Sequence, residues 1–99
     1  MSGYRLSRAA DHDIESIANY TLEKWGINQV KSYIGGLVAC CHDIARSDHI
    51  GRDASEFAEN LFRFTYQSHI IFFIRQSNGI LIVRVLHKSM DFKRHLGEI

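Results

Sequence analysis

Leu61-Phe62-Arg63-Phe64-Thr65-Tyr66-Gln67-Ser68-His69-Ile70-Ile71-Phe72-Phe73-Ile74-Arg75-Gln76-Ser77-Asn78-Gly79-Ile80-Leu81-Ile82-Val83-Arg84-Val85-Leu86-His87 is the stretch whose reading decides the fold. It opens with a period of two. Phe62, Phe64 and Tyr66 share one face, and Leu61, Arg63 and Thr65 the other, as in a strand. A tight turn at Gln67-Ser68 leads into Ile70 to Ile74, apolar on both faces and therefore a central strand. Ser77-Asn78-Gly79 holds the Asn-Gly signal of a hairpin. From Ile80 to His87 the alternation places Leu81, Val83 and Val85 on one face and Ile82, Arg84 and Leu86 on the other. Three consecutive strands with short turns make an antiparallel meander.

Upstream the period becomes helical. Tyr4-Arg5-Leu6-Ser7 reads as a short strand that can add at an edge of the sheet. Ser7 or Asp11 can cap the helix that follows, and Asp11, Asp13 and Glu15 place negative charge at the positive end of its dipole. Ile14, Ile17, Ala18, Thr21, Leu22 and Trp25 form one stripe, which Gly26 ends. Asn28 is placed to cap a second helix, whose stripe is Val30, Tyr33, Ile34, Leu37, Val38, Cys41, Ile44 and Ala45. Gly35 and Gly36 lie inside it and suit a close approach of the two helices. The stretch from Ser47 to Asn60 has no clear period and reads as a loop with one short turn at Ala54 to Ala58. The expected class is α+β, in the order β-α-α-β-β-β, with a helical hairpin on one face of the sheet. The other face is expected to be partly open and to carry Arg84 with Ile82 and Leu86. A short polar tail follows from Lys88.

The chain has 99 residues, 45% of them hydrophobic and 23% charged, which fits one globular domain from residue 1 to 99 and excludes disordered and fibrous classes. The uncharged apolar run from His69 to Ile74 is far short of a membrane span. Met1-Ser2-Gly3-Tyr4-Arg5 has no apolar core of a secretory signal. The cysteines, Cys40 and Cys41, are adjacent and cannot close a useful loop, which points to a reducing, cytoplasmic compartment. The net charge of +1 hides an asymmetry. Residues 1–59 carry 6 basic and 9 acidic residues, and residues 60–99 carry 6 and 2. The acidic helical part is thus joined to a basic sheet part, an arrangement suited to an acidic partner.

Six histidines are present, but none has the spacing of a metal-binding signature, and no metal or other cofactor is expected. Glycine-rich phosphate loops and a nucleophilic serine motif are also missing. The richest segment runs from Val83 to Leu96, where a strand ends in basic and imidazole groups with one carboxylate. Residue types alone fit a solvated strand end, a docking surface and a ribonuclease, in that order. A ribonuclease would set Arg84 and Lys88 against phosphate and move protons with His87.

At this point the sequence resembles the ParE branch of the ParE/RelE toxin superfamily of bacterial toxin–antitoxin modules. The matching pieces are Tyr4-Arg5-Leu6-Ser7, Ala10-Asp11-His12-Asp13-Ile14-Glu15-Ser16-Ile17, Tyr20-Thr21-Leu22-Glu23-Lys24-Trp25-Gly26, Gly51-Arg52, Leu61-Phe62-Arg63-Phe64, His69-Ile70-Ile71-Phe72-Phe73, Ile82-Val83-Arg84-Val85-Leu86-His87 and Met90-Asp91. They cover nearly the whole chain in the family's order. The resemblance implies a poison of DNA gyrase that blocks replication by binding a protein. It also implies a ParD-like antitoxin whose C-terminal segment wraps the toxin, and contact with operator DNA only through that antitoxin. The RelE branch instead cleaves messenger RNA on the ribosome. This sequence departs from that branch. Ile70 stands where a ribonuclease tends to place arginine, Phe92 lacks a hydroxyl, and the Ser47 to Asn60 loop carries Asp53, Glu56 and Glu59 in place of lysines.

The candidate binding residues are accordingly Arg63, Arg75, Ile82, Arg84, Leu86, His87, Lys88, Asp91, Lys93 and Arg94, on a cationic rim of the late strands and tail. Arg84, His87 and Lys88 are the catalytic candidates under the ribonuclease alternative. Trp25, Ile34, Leu37 and Val38 on the helices, with Ile82 and Leu86, are candidate apolar contacts, although amphipathic stripes of this kind normally face the sheet.

Overall fold

A computed structural model describes residues 3–97; Met1 and Ser2, at the start of the N-terminal segment read for a signal, lie outside them. Strand β1 (Gly3–Leu6) leads into helices α1 (Arg8–Trp25) and α2 (Ile27–Arg46). Strands β2 (Arg52–Asp53), β3 (Leu61–Tyr66), β4 (His69–Gln76) and β5 (Gly79–His87) follow, and a short helix α3 (Phe92–Leu96) closes the chain. One sheet has the order β1-β5-β4-β3-β2. The meander is antiparallel and β1 adds at an edge, as the sequence implies; the structure adds that it pairs parallel with β5. Two elements were not foreseen: the two-residue β2, which pairs with β3, and α3, which forms in the segment read as a polar tail.

Local chemistry explains the helix ends. Ser7 Oγ accepts the Ala10 N–H at 2.9 Å, so Ser7 is the cap and Asp11 adds charge in the first turn. Gly26 alone separates the helices. Its N–H donates to the Leu22 carbonyl and its carbonyl accepts from Val30, which leaves Asn28 inside α2 rather than capping it.

The helical hairpin covers one face of the sheet. Ala10, Leu37, Cys41, Ile44 and Ala45 pack there on Ile71, Phe73, Ile80, Ile82 and Val85. The other face is not open. Ala54, Leu61, Ile70, Phe72, Val83, Leu86 and Leu96 form a second buried cluster, roofed by Phe57 and Phe92. This corrects the expected exposure of Ile82 and Leu86, and the reason is a β-bulge. Phe72 stands opposite Arg84 and Phe73 opposite Ile82, so Val83 is an extra residue without a partner. The extra residue reverses the alternation beyond it. Ile82 therefore faces the helices, and Leu86 is sealed under α3.

The stripe of α1 also ends differently from expectation. Ile14 and Ile17 pack on the core, but Leu22 and Trp25 are exposed, Trp25 at 72%. In α2, Leu37 is buried and Ile34 packs on the core. Gly35 faces open space, whereas a Cβ on Gly36 would collide with the hydroxyl of Tyr66 on β3. The close approach at Gly36 is thus to the sheet and not to α1. Gly36→Ala is expected to destabilise the fold by about 1–3 kcal/mol through overpacking. Gly35→Ala is expected to stabilise it by roughly 0.5–1 kcal/mol through helix propensity. Urea denaturation of the two variants checks both signs.

Candidate functional site

The site begins where β1 stops. Its last partner on β5 is Ile82, so beyond that residue the outer edge of β5 has no strand beside it. Side chains from the start of α1 take over. Ser7 donates its N–H to the Ile82 carbonyl at 2.9 Å and its Oγ–H to the Val83 carbonyl at 2.7 Å. One turn further, Asp13 accepts the Val85 N–H at 2.9 Å. Its carboxylate also accepts from Arg84 Nε and Nη2, both at 2.8 Å, in a bidentate pair with little solvent access. Arg84 Nη1 reaches the His95 carbonyl at 3.3 Å.

Past Asp13 the hairpin and the sheet diverge and leave a groove of about 630 Å³. Ile17, Tyr20, Thr21 and Trp25 of α1 form one wall, with Tyr33 of α2 beside them, and His69, His87, Ser89 and Met90 line the other. Tyr20, Trp25 and Met90 are among the large apolar side chains left exposed. Thr21 is buried because its hydroxyl donates back to the Ile17 carbonyl at 2.7 Å, so it presents its methyl group as part of the wall.

The groove floor is polar and ordered. The rings of His69 and His87 meet edge to face at 5.3 Å. The Tyr33 hydroxyl lies 2.6 Å from His69 Nδ1, and the Tyr66 hydroxyl donates to the Tyr33 carbonyl at 2.9 Å. Burial holds His69 below the ordinary imidazole range, His87 adds like-charge repulsion, and Asp13 opposes both. Burial likewise raises the Tyr33 phenol. No group of metal-ligating side chains occurs among the described residues. Cys40 and Cys41 are free, and burial pushes Cys41 up to about 12, which makes it a poor nucleophile.

The structure scatters the candidates read from the sequence and does not gather them into a rim. Arg84 is engaged with Asp13. Arg75, at the far end of β4, donates to the Ile44 and Ile50 carbonyls and ties the end of α2 to the sheet. Arg63 faces Glu56 at 3.5 Å. Asp91 caps α3 by accepting the Arg94 N–H at 3.3 Å. Ile82 and Leu86 are core residues, so their proposed role as apolar contacts is withdrawn. His87 lines the groove and Lys88 follows it, exposed, while Lys93 and Arg94 stand exposed on α3. Sequence reasoning missed Asp13, Tyr20, Tyr33, His69, Ser89 and Met90 as members of one site. A register counted from the Gln76–Gly79 end pairs His69 with Leu86; the bulge at Val83 shifts the count by one and brings His87 opposite His69 instead.

Residues 4–92 match the family described as ParE toxin of type II toxin-antitoxin system, parDE. The chain is 35% identical to Toxin ParE1 of Caulobacter vibrioides over 97 residues, which is 98% of this chain and 100% of that one. It is 30% identical to Toxin ParE of Escherichia coli over 99 residues, covering 99% and 96% respectively. In structure it resembles a chain of the chromosomal ParDE TA system from P. aeruginosa with a TM-score of 0.74, at 15% identity, over 88% of this chain and 96% of that one.

Two outcomes follow from the geometry. Asp13→Ala is expected to lower the unfolding free energy by about 3 kcal/mol, because it strands a largely buried Arg84. Asp11→Ala, at an exposed site on the same helix, should cost no more than about 1 kcal/mol. Denaturant titration compares them. The second outcome concerns pH. As pH falls through 6.5, the ordinary histidine value, the unfolded chain takes up a proton at position 69 before the folded chain does. The contribution of neutral His69 is therefore complete above that value and is lost as pH drops toward the lowered folded value. Thermal midpoints should decline below pH 6.5, and the decline should be shallower in His69→Gln.

Proposed function

The chain belongs to the ParE toxin family of type II toxin–antitoxin systems, and from that premise we propose that it acts by gripping other macromolecules. In this reading it poisons DNA gyrase and so blocks replication. A ParD-like antitoxin neutralises it and supplies its only link to DNA. The observation that carries the reading is the groove beside the Asp13–Arg84 pair. Tyr20 and Trp25 are rigid, exposed aromatics of the kind that dominate binding energy at protein interfaces. An antitoxin segment with apolar side chains, docked as a helix in the groove or as an added strand, would cover them and Met90. Acidic side chains on the same segment would meet His87 and Lys88 at its end, and Lys93 and Arg94 on α3.

Arg84 supports the same choice from the opposite direction. A ribosome-dependent ribonuclease needs a guanidinium turned toward phosphate. Here that guanidinium is turned into the fold against Asp13. This orientation supports binding over cleavage as the role of this end of the sheet.

Two assays with the purified chain test the proposal. In a supercoiling assay, gyrase activity should be inhibited, and messenger RNA on translating ribosomes should stay intact. Cleaved message with unimpaired supercoiling would overturn the assignment. For the groove, Trp25→Ala should weaken antitoxin binding at least about tenfold by calorimetry, since truncating an anchor aromatic costs roughly 2 kcal/mol or more.

A further inference from the structure

The face of the sheet turned away from the hairpin holds a recess of about 630 Å³, lined by Arg52, Arg63, Thr65, Ile70 and Phe92. Arg52 on β2 stands directly opposite Arg63 on β3. Cross-strand partners of an antiparallel pair point to one face, and like charges so placed work against the fold. That face is fixed by Phe72 opposite Arg63 and Ile70 opposite Thr65, both members of the second cluster. The chain does little to compensate the two charges. Arg52 is exposed and makes no hydrogen bond or ion pair with any described residue. Among the described residues Arg63 has one ion pair, with Glu56 at 3.5 Å. That is longer than the roughly 2.7–2.9 Å of a charge-assisted hydrogen bond. Asp53 is paired opposite Phe62 on the hairpin side, and its carboxylate accepts from the Ser55 N–H and hydroxyl.

We propose that the Arg52–Arg63 recess is a carboxylate-binding site that takes acidic side chains of the antitoxin segment where it continues past the groove. The choice of partner rests on the groove reading given above. Two guanidiniums side by side offer forked N–H donors that match a planar carboxylate, and Thr65 adds a hydroxyl. The chain itself shows that a carboxylate fits there. Glu56 rests against Arg63, loosely and half in solvent, so a partner's carboxylate can take its place without stranding a buried charge. The same loop argues against nucleic acid as the occupant. Asp53, Glu56 and Glu59 repel the closely spaced phosphates of a backbone, whereas a polypeptide can space its acids. Continuity with the groove favours the antitoxin. Met90 lines the groove and Phe92 lines the recess, so one short segment borders both. Lys93 and Arg94, exposed on α3, extend the positive charge of that border.

The site is tested first on the isolated, isotope-labelled chain by NMR, with an oligoglutamate peptide as the probe. The Nε–H signals of Arg52 and Arg63 are expected to shift on titration. Arg52→Gln and Arg63→Gln should each weaken the peptide about two- to fivefold, the range of an exposed ion pair. Lys31→Gln, which removes the same charge from an exposed position on α2, should change it less. Arg52→Lys should behave like Arg52→Gln, because lysine keeps the charge and loses the fork. Arg52→Gln should melt at the temperature of the unsubstituted chain or above it, since it removes a like-charge pair. Still arginine signals, equal losses in all three glutamine variants, a lower melting temperature for Arg52→Gln, or tighter binding of an oligothymidylate of equal charge would overturn the carboxylate site. The second arm uses the antitoxin and calorimetry. The double variant Arg52→Gln/Arg63→Gln should weaken its binding at least about fourfold. An affinity that falls with Trp25→Ala and ignores the double variant would overturn the recess and leave the groove standing. An affinity that falls with the double variant and ignores Trp25→Ala would sink the groove and keep the recess.

Discussion

One carboxylate holds the functional end of this fold together. Asp13 reaches from the second turn of α1 to the point where β1 has run out and β5 would otherwise present a bare edge. It accepts one backbone N–H of that edge and two N–H groups of Arg84. Such an edge invites pairing with another chain, and a side-chain acceptor is one way to blunt it. Because the carboxylate is ionised, its bonds to the Arg84 guanidinium and the Val85 N–H are charge-assisted and tie α1 to β5 at this point. The groove starts beside that tie. The first turns of α1 pack on the sheet, and its last turn borders the groove.

The groove explains why a stripe with the spacing of a core helix leaves Trp25 in solvent. The residues of α1 keep their period throughout, but the surface opposite them changes. Near Ile14 and Ile17 it is the β5 side of the sheet. Near Trp25 it is the groove, whose far wall holds His69 and His87. Period alone says which residues share a face; it does not say how far the facing layer extends. The exposed Trp25 at the end of an otherwise ordinary amphipathic helix is the mark of that difference.

The architecture was legible because its signals are local. The alternation in β3, the doubly apolar β4, the Asn-Gly turn, Ser7 before α1 and Gly26 between the helices each act through nearest neighbours, and each stands where the sequence puts it. What was not legible depends on register and distance. Val83 looks like any other strand residue, yet as an unpaired extra residue it moves Ile82 to the helix side and lets Leu86 be sealed by α3. Asp13 looks like a first-turn acid, and its partner lies 71 residues away. The basic residues counted toward a single rim lie at opposite ends of the strands, Arg75 at one and Lys88 beyond the other. A charge total by half of the chain carries no information about that separation.

These features also separate the two chemistries that the superfamily resemblance leaves open. Cutting RNA requires cations that are rigid, unspent and aimed at one phosphate, together with a group that moves a proton near neutral pH. At this end of the sheet the rigid guanidinium is spent on Asp13, and the cations that reach solvent, Lys88, Lys93 and Arg94, sit on a turn and a short helix. The imidazole His69 is held to the Tyr33 hydroxyl and kept neutral by burial. Binding a polypeptide asks for the reverse arrangement: mobile charges at the rim, rigid aromatics beside a concave apolar wall, and a neutral, satisfied floor that a partner can cover without stranding a charge. Tyr20, Trp25, Thr21 and the paired histidines meet that description together. The Asp13–Arg84 pair is therefore what turns a fold able to present an arginine into one that presents a groove.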